Sequence, residues 1–290
     1  MEIPELFTRG GQPVFSLELF LPKAGNDIEA FLATARELKA LDPAFVTLTY
    51  GAGGSGRDRT VEMAARLRHE VGLETACHLT CITHTRVEIA ALLDRLAGHE
   101  IRTIVALRGD PPKDEPAVPA DRRDFGYARD LVAFIKARGG FRMAVAGYPE
   151  THPEAPSPEL DIQNLKAKMD AGGDWVITQL FFDNAAYFRF VDNARAAGVR
   201  APIVPGIMPV TGYSQLKRFT QLCGAKIPAE LAARLDPIQD DAEAVIACGI
   251  DWSWRQCRAL LDGGAPGVHF YTLNRTHSTG EIMRRLRQAL

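Results

Sequence analysis

The feature that most constrains this chain is a two-beat rhythm. Eight times, a short β-favouring apolar run gives way to a longer segment with apolar residues at helical spacing. The strand-like runs lie at Val14 to Phe20, Phe45 to Tyr50, and near 74–81, 101–107, 141–147, 174–181, 202–207 and 267–272. Asn26-Asp27 offers caps for a helix in which Ile28, Phe31, Leu32, Ala35 and Leu38 recur on one face. Further helical patterns follow near 60–71, 85–97, 125–138, 159–171, 184–197, 213–223, 239–262 and 279–289. Gly72, Gly98, Gly139-Gly140, Gly172-Gly173, Gly198 and Gly263-Gly264 stand just before strands, where a left-handed helix C-cap suits glycine. Such alternation predicts a parallel sheet covered by helices. No linker or composition shift divides the units, so the expected α/β fold is a single-domain (β/α)8 TIM barrel over 1–290. Closure leaves no edge strand to protect.

Composition narrows the function classes. A length of 290 residues, with 46% apolar and 24% charged residues, is that of a globular protein with a sizeable core. The net charge of −2 and the lack of any Lys/Arg run argue against nucleic acid as a partner. The start, Met1-Glu-Ile-Pro-Glu-Leu6, has neither region of a signal peptide, and no apolar stretch approaches the roughly 18 residues of a membrane span. A cytoplasmic protein without a membrane partner is expected. Cys77, Cys81, Cys223, Cys248 and Cys257 are odd in number and show no CxxC spacing, so no disulfide framework or zinc ribbon is predicted. Cys77 and Cys81 read as core packing. The seven histidines show no HExxH spacing and no serine sits in GxSxG, so neither a metal site nor a hydrolase triad is expected.

A barrel gathers chemistry at the carboxyl ends of its strands. Those positions hold Glu18, Thr49-Tyr50, His78, Arg108-Gly109-Asp110, Tyr148, Gln179, Pro209 and Asn274-Arg275. Glu18 lies within Phe15-Ser-Leu-Glu-Leu-Phe-Leu21. There desolvation would raise its pKa and make it a proton donor near neutral pH, unless an Arg or Lys across the barrel pairs with it. Asp110 is a second carboxylate on the same rim, suited to stabilising developing positive charge; with Arg108 it could equally form a solvated turn. Asp161, Asn164 and Lys168 share one helix face at spacings of three and four, and could meet one polar ligand. Tyr127, Tyr148 and Tyr213 at loop positions offer surfaces for ring stacking. Gly51-Ala-Gly-Gly-Ser-Gly56 satisfies GxGxxG, with Glu74 some way on, which allows a Rossmann-type dehydrogenase as an alternative. Glu74 begins a strand, however, where that fingerprint wants an acid at a strand's end.

Eight ordered segments resemble the methylenetetrahydrofolate reductase family. They are Leu17-Glu-Leu-Phe20, Thr49-Tyr-Gly-Ala52 with Arg57-Asp-Arg-Thr60, His78-Leu-Thr80, Leu107-Arg-Gly-Asp-Pro111, Tyr148-Pro-Glu-Thr-His-Pro153, Ile177-Thr-Gln-Leu-Phe-Phe182, Pro205-Gly-Ile-Met-Pro209 and Phe270-Tyr-Thr-Leu-Asn-Arg275. The resemblance implies a catalytic barrel of bacterial type without a regulatory domain. It implies noncovalent FAD, with NADH or NADPH and folate as substrates in ping-pong order, and a homo-oligomer. By motif position, Thr49, His78, Arg108, Gly109, Asp110, Tyr127, Ala128, Tyr148, His152, Asp161, Asn164 and Lys168 would contact FAD. Glu18 would be the general acid that opens the bridging methylene ring to an iminium, and Asp110 would stabilise that cation. Gln179 would bind the pterin or the nicotinamide amide, Tyr213 would stack on the aminobenzoate, and Arg275 would assist folate binding. A partner-dependent flavin- and folate-binding subunit is the other reading. The chain departs from the family where Leu17 and Leu19 replace aromatic residues beside Glu18, where Leu21-Pro22 replaces a double proline, and at Ala167. Altered packing around Glu18 and one missing phosphate contact are therefore expected.

Overall fold

The computed structural model describes residues 2–7, 11–22, 27–50, 57–110 and 124–289. Its strands are β1 (Val14–Leu19), β2 (Phe45–Leu48), β3 (Thr75–Thr80), β4 (Thr103–Leu107), β5 (Arg142–Gly147), β6 (Trp175–Thr178), β7 (Ile203–Val204), β8 (Gly206–Ile207) and β9 (Gly267–Tyr271). All pairings are parallel and run in the order β7-β6-β5-β4-β3-β2-β1-β9-β8. The expected run near 202–207 is bent at Pro205. Its first half pairs with β6 and its second with β9, so β7 and β8 form one stave and the sheet closes into a barrel of eight. Pro205 has no N–H to give a ladder, while its carbonyl accepts from the His269 N–H at 2.9 Å. Gly206 is required at this bend, because a Cβ there would lie 2.2 Å from the Thr178 carbonyl oxygen.

The helices are α1 (Ile3–Leu6), α2 (Ile28–Lys39), α3 (Arg57–Arg66), α4 (Arg86–Gly98), α5 (Ala128–Arg138), α6 (Pro158–Asp170), α7 (Asn184–Ala196), α8 (Tyr213–Cys223), α9 (Ala229–Leu235), α10 (Ala242–Asp262) and α11 (His277–Ala289). Asp27 caps α2 by accepting from the Glu29 and Ala30 N–H groups, as its position before the apolar stripe predicts. The helix expected near 60–71 runs on from α3 as a π turn over Leu67–Val71. It stops at Gly72, whose φ of +72° is a left-handed cap.

Strand parity sorts the apolar residues into two layers. Inside the barrel lie Val14, Phe45, Ala76, Val105, Ala144, Trp175, Ile177 and Val204, with Ile3 of α1 packed among them. Phe7 packs its ring on Phe45 and Trp175, each at 6.2 Å between centroids. Outside, Leu17, Leu19, Val46, Leu48, Cys77 and Leu79 meet helix residues such as Phe31, Leu32, Ala35 and Leu38. This layer corrects one expectation. Leu17 and Leu19 point away from the interior that Glu18 faces, so their departure from the family pattern alters the packing of strand on helix and not the surroundings of the acid. Cys77 and Cys81 are both buried in this outer layer, as their shared strand face predicts.

Candidate active site

The carboxyl end of the barrel opens into two adjoining clefts. The inner one, of about 420 Å³, has Glu18, Thr49, His78, His269 and Tyr271 among its lining residues, together with Asp110, Gln179, Phe219 and Cys223. The outer one, of about 400 Å³, is lined by Arg108, Tyr127, Ala128, His152, Glu154, Asp161, Asn164 and Lys168 among others. Leu107, Ala146 and Tyr148 line both, so the clefts share a wall.

Glu18 occupies the third inward position of β1, above Val14 and Ser16. It is buried at 6% exposure, and burial pushes its carboxyl up to about 8. No ion pair joins it to a Lys or Arg among the described residues, and neither residue type lines the inner cleft. Its close polar neighbour is His78 of β3, whose Nε2 lies 3.4 Å from Glu18 Oε2. Burial drives His78 down to about 4, which leaves the ring neutral at neutral pH. Below this pair, His269 is fully buried, with Nδ1 2.8 Å from Ser16 Oγ and Nε2 3.5 Å from Thr47 Oγ1. The backbone around Glu18 is braced by β9 and the residues after it. Thr272 Oγ1 donates to the Glu18 carbonyl at 2.6 Å, and Asn274 both accepts from the Phe20 N–H at 2.8 Å and donates to its carbonyl at 2.9 Å. Leu273 and Asn274 take positive φ, +53° and +57°, to reach that position.

Asp110 is exposed at the mouth of the inner cleft. The two carboxyl groups therefore sit in contrasting surroundings, one desolvated and one hydrated, an arrangement that separates a proton donor from a charge stabiliser. Gln179 N–H donates to the Gly147 carbonyl at 2.7 Å, and its Oε1 accepts from the Leu180 N–H at 2.8 Å. Its Nε2 makes no hydrogen bond among the described residues, which leaves an amide donor on the cleft wall.

In the outer cleft, Asp161, Asn164 and Lys168 line one wall from α6, at the spacing that their sequence pattern predicts. Lys168 Nζ donates to the Ala146 carbonyl at 2.5 Å, and burial lowers its amine to about 8. Asp161 Oδ2 accepts from the His152 N–H at 3.0 Å, and the Tyr148 and His152 rings meet edge to face at 4.5 Å. Arg108 does not form the local pair with Asp110 that its sequence allows. Its guanidinium forks onto Glu154 at 2.6 and 2.8 Å. Gly109, at φ +84°, lies so close to β3 that a Cβ would meet the Thr80 Cβ at 2.8 Å. A guanidinium, an amine with donors to spare, apolar walls and a second connected chamber suit an elongated anionic ligand.

Two expected residues lie elsewhere. Tyr213 is buried at the start of α8, donates its hydroxyl to Asp236 at 2.6 Å and stacks under Lys217 Nζ at 3.8 Å. Neither Tyr213 nor the exposed Arg275, which donates to Thr211 Oγ1 at 3.1 Å, lines either cleft. The α8 residues that do are Phe219 and Cys223, four apart on one face. Phe219 is thus the aromatic ring of α8 that lines the inner cleft, while Tyr213 stands away from it. The run Gly51–Gly56 lies outside the described residues. Glu74 sits at the opposite end of the barrel, paired with Arg68 at 2.7 Å, where it cannot serve a nucleotide at this rim.

Comparison with known proteins agrees with this arrangement. The family model for methylenetetrahydrofolate reductase matches residues 5–287. The chain is 39% identical over 276 residues to the 5,10-methylenetetrahydrofolate reductase of Escherichia coli K12, covering 95% of this chain and 91% of that one. It is also 39% identical over 290 residues to methylenetetrahydrofolate reductase (NADH) 1 of Arabidopsis thaliana, with 96% of this chain and 49% of the relative covered. The chain thus spans about half the length of the plant relatives it matches. Among solved structures, an uncharacterized protein from Clostridium thermocellum that binds two copies of 5-methyl-5,6,7,8-tetrahydrofolic acid superimposes with a TM-score of 0.71 over 99% of both chains. At 13% identity, that likeness speaks for the fold alone. The ordered motifs, the barrel that carries them and the match along nearly the whole chain place this protein in the methylenetetrahydrofolate reductase family.

Proposed function

We propose that this chain is a bacterial-type, FAD-dependent oxidoreductase that interconverts 5,10-methylenetetrahydrofolate and 5-methyltetrahydrofolate. It uses NADH or NADPH in ping-pong order, as a single catalytic barrel that works in the cytoplasm as a homo-oligomer. The observation that carries this reading is Glu18, a buried acid without a cation partner among the described residues, at the floor of a cleft that adjoins one lined by Arg108 and Lys168.

FAD would lie along the outer cleft, with Arg108 and Lys168 toward its negative charge, and when bound it supplies the hydride acceptor and donor. Glu18 is protonated below a pH of about 8 and so holds a proton for the nitrogen released as the bridging methylene ring opens. The Asp110 carboxylate at the cleft mouth stabilises the cation left on the methylene carbon. Gln179 offers its free amide donor to a pterin or a nicotinamide amide, which lets one site take the two substrates in turn. Phe219 presents a ring to the cleft, and Leu180, Met208 and Leu273 give it apolar walls that limit water.

The test is the flavin spectrum of the purified chain after added FAD, followed by anaerobic mixing with each nicotinamide separately. Bleaching of the flavin by NADH or NADPH, and its return on adding 5,10-methylenetetrahydrofolate, is expected. A chain that binds no flavin contradicts the reading. One that binds flavin but leaves it oxidised with both nicotinamides is instead a partner-dependent subunit.

A further inference from the structure

Glu18 reaches across β2 to a residue on β3, and the geometry of that contact gives His78 a task besides lining the cleft. Every element packed around the Glu18 side chain contributes known groups. Thr47 and Thr49 come from β2 and its end, and Tyr271 and His269 from β9. Asp110 and Tyr148 stand farther up the cleft wall, beyond β4 and in the loop after β5. Tyr271 is already committed, because its hydroxyl donates to the Thr178 carbonyl at 2.6 Å. Thr49 Oγ1 accepts from the Leu21 N–H at 3.0 Å and makes no hydrogen bond to Glu18 among the described residues. His78 Nε2, at 3.4 Å, is left as the polar atom that meets the carboxyl. That separation is long for a hydrogen bond, and contacts of this kind tighten when a ligand closes a site.

His78 is in turn backed by a second tier. His269 is held at Nδ1 by Ser16 and at Nε2 by Thr47, with the Phe45 ring stacked at 6.5 Å and Tyr271 edge-on at 5.4 Å. A fully buried histidine with both nitrogens facing hydroxyl groups stays neutral, and a second positive ring beside it would be repelled. The interior of β1, β2, β3 and β9 thus changes from apolar residues at the bottom, through Ser16, Thr47 and His269, to Glu18 and His78 at the cleft. Polar groups inside a barrel are tolerated where they satisfy one another, as Ser16, Thr47 and His269 do, and this tier forms the base on which Glu18 and His78 stand.

We infer that His78 is the positioning residue for Glu18: its neutral Nε2 accepts a hydrogen bond from the carboxyl O–H, and so keeps the acid protonated and aimed into the cleft until substrate arrives. This rests on the role proposed for Glu18. Two physical effects fix its direction. An acceptor for the carboxyl O–H favours the protonated form, and the imidazole volume keeps water from the carboxylate. Removing the ring reverses both.

The test is an infrared titration of the full-length protein from pH 5 to 10, following the carboxylic-acid carbonyl band that Glu18→Gln abolishes. In the unsubstituted chain the band should vanish with a midpoint near pH 8. In His78→Ala the midpoint should fall by at least one unit, a tenfold change in proton affinity. His78→Gln keeps a hydrogen-bonding side chain of similar reach, and should restore more than half of that shift. If His78→Ala fails to fold, the Gln variant against His78→Leu gives the same contrast. An unchanged midpoint in the Ala or Leu variant, or a rise, overturns the inference; a rise would mean that His78 donates to the carboxylate. The band is read without turnover. A chain inactive toward folate would therefore sink the proposed reaction alone, while an unshifted midpoint in an active enzyme would sink this inference alone.

Discussion

Arg108 and Glu154 form a two-bond fork, 2.6 and 2.8 Å, between the end of β4 and the loop after β5, at the wall of the outer cleft. Glu154 holds the guanidinium in place, and it also occupies the donors that an incoming phosphate would use. The pair is partly exposed, so its own worth is modest and its effect lies in competition with ligand. Glu154→Gln should tighten FAD binding by about two- to tenfold and Arg108→Ala should weaken it by tenfold or more, in titrations of flavin fluorescence. Equal weakening in both variants would show that Glu154 serves only to position Arg108.

Lys168 sets a pH dependence for the same cleft. Its amine is lowered to about 8 by burial, so in the empty site the positive charge is lost as pH rises through 8. FAD affinity should decline between pH 7 and 9, and Lys168→Met should bind more weakly with that decline flattened. A decline that persists unchanged in the Met variant would assign it to another group.

Stability should respond to pH through Glu18 and the two buried histidines, on opposite sides. The Glu18 pKa is raised on folding from its ordinary value near 4.5 to about 8, so the native state holds more protons and stability falls as pH rises through that window. The loss is on the order of 5 kcal/mol at most. Glu18→Gln removes this slope. In urea titrations it should match the unsubstituted chain near pH 5 and exceed it near pH 9. His78 and His269 are depressed to about 4 and 3, so the unfolded chain takes up their protons first, and stability falls as pH drops below about 6.5 in both proteins.

Leu17 tests the parity of β1. It is fully buried in the layer between strand and helix, so Leu17→Phe should lower stability by about 1–3 kcal/mol through overpacking. The infrared midpoint of Glu18 should stay where it was. A shifted midpoint would mean that the outer layer does control the acid.

These residues also show what a sequence can and cannot reveal. Eight alternating units and the rim positions were readable because period, caps and strand ends are local properties. Asp161, Asn164 and Lys168 were readable because helix geometry converts their spacing into a face. Glu154 was not, because its partner lies 46 residues away and only the fold brings the two loops together. The position of Phe219 on the cleft is not legible, because Tyr213 and Phe219 stand six positions apart, well round the helix from each other, and the sequence does not say which side of α8 meets the barrel mouth. The bend at Pro205 was hidden because a stave shared between two neighbours keeps the apolar signature of one strand. The leucines beside Glu18 misled for the opposite reason: adjacency along a strand means opposite faces.

Glu18 is proposed to deliver a proton to folate and not to the nicotinamide reaction. Anaerobic stopped-flow on Glu18→Gln tests it most directly, with the two half-reactions measured separately. Reduction of bound FAD by the nicotinamide should stay within a few-fold of the unsubstituted chain, while reoxidation by 5,10-methylenetetrahydrofolate should slow by about 100-fold or more. Equal loss in both half-reactions, or a folate step that keeps its rate, would contradict it.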